Sequence, residues 1–341
     1  MQHRFLPIDF LRSVAIFGVI VTHVYSYNLT NPTNYFIWNY LHFVVVAFVF
    51  CSGFVMTAKY KHFFIDMTKT LVWYRKRFIR LLVPFYIYLF THYTLWFLFP
   101  HFFSGLGLEK SSTFLLQSLL LIGGVNLNWL PLLFIQLAFL FPLFTLLVRK
   151  RNLVICYLAF AILVTLFFTI QTSTAYSYYR FVMWIPWSLI LLTAMYFYSK
   201  EKEKINSKKY VLLIAASFAI FIILFMLFQT LHRSLTLIDH KYPPDFYYLS
   251  YATCMTLLVY SFSKIRILEK SLISKIYVFI SQQAYPLFFI HYIVSDNMLQ
   301  IKKSLAFLSS PITQTVFVLI ISISISYLIQ KAKALIFSSN G

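Results

Sequence analysis

Long apolar segments recur along this chain near residues 7 to 27, 36 to 57, 81 to 99, 113 to 124, 129 to 148, 153 to 171, 181 to 198, 210 to 231, 246 to 263, 276 to 295 and 311 to 330. A helix needs ~20 predominantly apolar residues to cross a hydrocarbon layer ~30 Å thick, and inside that layer it satisfies its own backbone. The fourth segment is too short for this, and it ends in Gly123 and Gly124, so it reads as re-entrant. The expected fold is therefore all-α and polytopic: one integral-membrane domain over residues 1–341, with about ten transmembrane helices plus that short re-entrant segment. A chain that is 60% hydrophobic and 11% charged is excluded from the soluble globular class.

An excess of 29 Lys and Arg over 9 Asp and Glu would point to nucleic acid if it formed a patch. It is a topology signal instead. All but Lys110, Arg180, Arg233, Lys241, Lys302 and Lys303 fall at residues 4 to 12, 58 to 80, 149 to 151, 199 to 209, 264 to 275 and 331 to 333. If residues 113 to 124 do not cross, all these basic stretches lie on one side, which the positive-inside rule makes the cytoplasmic one. Both termini are then cytoplasmic, the expected location is the cell membrane, the bilayer is the surrounding partner and nucleic acid is not one. The N-terminal apolar stretch reads as an uncleaved span, because Asp9 and Arg12 interrupt a signal-peptide pattern and no small-residue cleavage site follows. No internal repeat is visible.

The first span carries the most informative polar pattern. Eleven residues separate Arg12 from His23, so on a helix the two lie within roughly 20° of one face and ~16 Å apart. Ionisable residues in a span are costly and face a bundle interior or a wet cavity, which makes this stripe a candidate site. The plainer alternatives are that Arg12 snorkels to the headgroups, that Asp9 pairs with it, and that His23 is a satisfied polar residue near the outer surface. Before the third span, Arg75, Lys76, Arg77 and Arg80 crowd six positions, with Arg77 and Arg80 three apart on one helix face and Pro84 following. Interfacial anchoring explains most such runs, but this density also suits a phosphate-bearing ligand, which arginine's planar fork matches.

Later polar signals are Trp129 and Gln136 in the block from 128 to 142, and Tyr285 and His291 in the block from 280 to 294. An intramembrane amide such as Gln136 commonly bonds a neighbouring helix. His23, His42, His92 and His291 all fall in the outer halves of their segments. No intramembrane carboxylate is expected beside them, and their spacing does not suggest a metal. Cys51, Cys156 and Cys254 lie in apolar stretches and read as packing residues.

In order and spacing these motifs resemble the acyltransferase 3 family of membrane acyltransferases. Asp9, Arg12 and His23 match its opening pattern, and Arg77 and Arg80, followed by Leu81 and Pro84, match its Arg-x-x-Arg. Trp129, Gln136 and Pro142 match its Trp-to-Pro block, and Tyr285 and His291 its late Tyr-to-His pattern. Many members carry glutamates just before the glutamine, where this chain has Phe134 and Ile135. That departure points to the branch acting on exopolysaccharides and other surface glycans.

The resemblance implies transfer of an acetyl or similar short acyl group from cytoplasmic acyl-CoA to a hydroxyl of a glycan or lipid-linked glycan at the outer face. Arg77, Arg80 and Arg12 would bind the donor, and His23 would be the general base or would carry an acyl group itself. Asp9, Gln136, Trp129, Tyr285 and His291 would support the site. Acyl-CoA enters as a substrate, with no tightly bound cofactor and no metal expected. A glycan or lipid exporter using the same polar path, and a non-catalytic partner of a glycan synthase, stay open at this point. Nothing in the sequence fixes the oligomeric state.

Overall fold

A computed structural model describes residues 4–60, 66–100, 103, 108–109, 111–171, 179–201, 207–265 and 271–338. Lys61, Lys110, Lys202, Lys204, Arg266 and Lys270 of the charge pattern lie outside them. Among the described residues the regular structure is helical: α1 (Leu6–Tyr25), α2 (Pro32–Tyr40), α3 (Val44–Tyr60), α4 (Met67–Leu98), α5 (Ser112–Leu119), α6 (Trp129–Leu147) and α7 (Arg151–Ile170). These are followed by α8 (Tyr179–Val182), α9 (Trp184–Glu201), α10 (Ser207–Thr230), α11 (Phe246–Phe262), α12 (Ser271–Asp296), α13 (Met298–Ser304) and α14 (Pro311–Ser338).

Among the described residues, eight stretches are long and apolar enough to cross a membrane: Leu6–Tyr25, Pro32–Tyr60, Met67–Leu98, Asn126–Leu147, Arg151–Ile170, Tyr179–Lys200, Tyr210–Thr230 and Pro311–Ala332. The two remaining expected spans are helical too. One is α11, with 17 residues, and the other is α12, with 26, whose apolar character is diluted by Ser281, Gln282, Gln283, His291 and Asp296. The segment expected not to cross is the eight-residue α5, which rises only ~12 Å. After it the chain turns away, with Leu121 and Gly124 in the left-handed region at φ 63° and 70°.

Local chemistry sets several of these boundaries. Pro7 opens α1, where a missing N–H costs nothing, and Asp9 sits in its first turn at the favourable end of the helix dipole. Asn31 caps α2 by accepting from the backbone N of Thr33 at 2.8 Å, and Asp66 does the same for α4 from Thr68 at 2.9 Å. Apolar residues such as Leu163 and Phe167 on α7, and Leu212, Ile223 and Met226 on α10, are exposed, as surfaces meant for lipid are.

The chain divides into two units. The first comprises residues 1–41, 83–119 and 263–341, and in it α1 packs on α12 while α14 covers both. Arg12 meets Ser281 at one end of the α1 and α12 pair and His23 meets His291 at the other, so these two helices run parallel. Asn28, just after α1, meets Gln314 near the start of α14, and Gln283 meets Gln330, so α14 runs opposite to both. The second unit comprises residues 42–82 and 120–262, with α3 packed on α9, α10 on α11 and α7 on α9. Gly53 permits the close approach of α3 to α9: a Cβ there would lie 2.8 Å from Leu191 Cδ1 and 3.0 Å from Ala194 Cβ.

Candidate active site

At the inner end of the first unit, Asp9 is held by Arg4, not by Arg12. Arg4 Nε pairs with Asp9 Oδ2 at 2.6 Å, and Ser281 Oγ donates to Oδ1 at 2.6 Å. Gln282, with its amide oxygen turned toward Arg4, accepts from both terminal nitrogens at 2.8 and 3.1 Å. Arg12 donates to Ser281 Oγ at 3.4 Å, and among the described residues no carboxylate pairs with it. The pairing of Asp9 with Arg12 is thereby replaced by a chain from Arg12 through Ser281 to Asp9 and Arg4. Ser281 lies 272 residues from Asp9, and its only signal in the sequence is the polar run at 281 to 283 inside a span.

The outer end of α1 brings His23 onto α12 as the stripe requires. Its ring lies 5.2 Å from that of His291 and 5.2 Å from that of Tyr292, both edge-on. Tyr292 also meets Tyr88 of α4 at 6.2 Å. His291 is fully enclosed and its Nδ1 lies 2.9 Å from the Leu287 carbonyl, so that nitrogen carries the proton and Nε2 keeps its lone pair. Tyr285 lies six residues before His291 on α12, its ring edge-on to Phe289 at 5.2 Å.

A carboxylate does accompany these histidines, contrary to expectation. Asp296, at the end of α12, is buried; its Oδ1 accepts from Tyr27 at 3.2 Å and its Oδ2 lies 3.7 Å from His92 Nε2. The apolar segment of 276 to 295 stops just short of Asp296, whereas the helix carries it one turn past Tyr292 on the same face. Its spacing of four from Tyr292 was the available signal. Among the described residues no three His, Cys, Asp or Glu side chains come close enough to hold a metal ion.

In the second unit, Arg77 is half-buried and donates to Ser52 Oγ at 2.9 Å, while Arg80 is exposed, one turn along the same helix. Gln136 donates to the Arg180 backbone carbonyl at 2.7 Å, the helix-bonding use of an intramembrane amide. Arg180 is itself buried, hydrogen bonded to the Leu121 carbonyl at 3.1 Å and to Asn128 Oδ1, and Asn128 in turn donates to the Gly123 carbonyl. These contacts secure the turn that carries the chain from α5 into α6. Trp129 is buried and faces Lys241, whose ammonium lies 5.0 Å from its ring centre and 5.1 Å from that of Tyr242. Burial among these rings pushes the Lys241 pKa down to about 7.

No curated protein and no solved structure matches this chain. A family model described as an acyltransferase domain, that of acyltransferase 3, matches residues 6–331, from the start of α1 to the last turns of α14. The match takes in both arginine sites, the histidine cluster and every segment expected to cross the membrane. The chain belongs to the acyltransferase 3 family, and with its helices long enough to span a bilayer it is a multi-pass membrane acyltransferase.

Proposed function

We propose that this enzyme moves a short acyl group from acyl-CoA at the cytoplasmic face to a hydroxyl of a glycan or lipid-linked glycan at the outer face of the cell membrane. The observation that carries this reading is His23: a half-buried imidazole at the outer end of the first span, packed against His291 and Tyr292. It accepts the proton of the acceptor hydroxyl as the hydroxyl oxygen attacks the thioester carbonyl. The carbon–sulfur bond breaks, and the departing thiolate of CoA takes up one proton, so the sum is ester plus free thiol. Imidazole is the side chain most often used as a general base in enzymes.

Arg77, Arg80 and Arg12 bind the donor's phosphates in this reading. Support comes from Arg80 being exposed, from Arg77 being oriented by Ser52, and from the lack of a carboxylate beside Arg12 among the described residues. Asp9 has the supporting role of keeping Ser281, and through it Arg12, in place. The test is His23→Ala in membranes matched for protein level, with acetyl-CoA as donor. Acyl transfer falls ~100- to 10,000-fold while acetyl-CoA still binds. Transfer at a near-normal rate would remove His23 from the chemistry.

A further inference from the structure

Three stretches of the first unit each bring two side chains four residues apart to the same end: His23 and Tyr27 in and just after α1, Tyr88 and His92 on α4, Tyr292 and Asp296 on α12. A spacing of four stacks side chains one above another, ~6 Å apart along the helix. The six therefore form two layers. In the inner one, Tyr292 lies between His23 and Tyr88, with ring centres 5.2 and 6.2 Å away. In the outer one, Asp296 lies between Tyr27, 3.2 Å away, and His92, 3.7 Å away. Tyr88 Oη and His92 Nδ1, 3.1 Å apart, tie the layers together.

The outer layer is polar and incomplete. His92 is 1% exposed, yet its Nε2 has no hydrogen bond, because 3.7 Å is too long for one. Next to the inner layer, the lone pair of His291 Nε2 is also buried without a partner. Buried polar atoms are nearly always satisfied, by water or ligand where the protein itself does not do so. A hydroxyl seated alongside His92 Nε2 and Asp296 Oδ2 matches both, since it donates to the carboxylate and accepts from the imidazole N–H. Tyr27, Tyr88 and Tyr292 lie beside these groups, and aromatic rings next to a polar group are suited to the C–H surface of a sugar ring. His23, Tyr27 and Tyr292 are half-buried, whereas His92, Asp296 and His291 are buried, so what access the cluster has is through the residues that include the base.

We propose that Asp296 and His92 form an acceptor subsite that holds a second hydroxyl of a polyol ring, one helical turn from the hydroxyl on which His23 acts. This rests on the acyl-transfer reading above. It makes the preferred acceptor a polyhydroxylated ring, not a simple alcohol.

The experiment compares acetyl transfer from acetyl-CoA to methyl glucoside and to each of its monodeoxy analogues, in membranes containing wild type, Asp296→Asn or His92→Phe. Wild type favours the parent glycoside over at least one deoxy analogue by ~10- to 100-fold, the usual value of a hydrogen bond to a charged group. Both variants lose that preference, through slower reaction of the parent alone, while acetyl-CoA affinity stays unchanged. Asparagine keeps the shape of Asp296 and its bond from Tyr27, so an assembled protein is retained even if the His92 variant is not. A uniform slowing with every glycoside would assign both residues a structural role and overturn the subsite alone. Absence of transfer to any glycoside by wild type would overturn the acyl-transfer reading and the subsite with it.

Discussion

A guanidinium at the edge of a bilayer without a carboxylate beside it retains much of its desolvation cost, and a bound anion offsets that cost. Among the described residues Arg12 is in this state, because Asp9 is already taken by Arg4 and Ser281. Arg77 is partly satisfied by Ser52, which fixes its direction, and Arg80 is exposed. If these side chains bind the phosphates of CoA, Arg77→Ala and Arg80→Ala each weaken acetyl-CoA binding by ~10- to 100-fold, as loss of a charged hydrogen bond does. Arg77→Lys recovers little, since an ammonium cannot reproduce the planar fork. Titration of the purified protein with acetyl-CoA measures this, and unchanged affinity in the double variant would leave the arginines as interfacial anchors.

Packing and capping decide what a whole helix tolerates. Gly53→Ala would set a methyl group 3.0 Å from Ala194 Cβ and against Leu191, so α3 and α9 must separate. The expected loss is ~1 to 3 kcal/mol, read as a lower unfolding temperature in detergent. Asp245, just before α11, accepts from the Tyr248 backbone N at 3.0 Å and faces His240 Nδ1 at 2.6 Å. Burial works against a charged His240, but the bond and charge of Asp245 prevail and raise its pKa above 6.5. The protonated ring therefore stabilises the folded loop fully below about 6.5, and this contribution disappears as pH rises through the raised value. Protection factors over residues 234–249, with each exchange rate divided into the intrinsic rate at the same pH, should be higher at pH about 5.5 than at about 9, and Asp245→Asn should abolish the difference. The helices themselves were legible because a run of ~20 apolar residues has few other fates, and the link from Arg12 to His23 was legible because it lies within one helix. Ser281, His92 and Asp296 were not, because each acts through partners more than 200 residues away in sequence, and no local period encodes such a pairing.

Membrane topology is where the two ends of the chain constrain each other. If residues 113–124 stay on one side, α1 is the first crossing, α12 the ninth and α14 the tenth, so α12 must run with α1 and α14 against it. The first unit meets both conditions: Arg12 reaches Ser281 and His23 reaches His291 along parallel helices, while Asn28 meets Gln314 across antiparallel ones. A crossing by α5 would reverse α12 against α1 and separate His23 from His291. It would also send Arg149, Lys150 and Arg151 outward, against the tendency of basic loops to stay inside. Eight residues of helix, rising ~12 Å against a hydrocarbon layer of ~30 Å, give the physical reason that α5 does not cross. Reporters inserted at Lys150 and after the last residue should both read cytoplasmic, and one inserted at Ser234 should read external. A Lys150 reporter outside the cell with the C-terminal one inside would require α5 to cross, and would break the parity that brings His23 and His291 together.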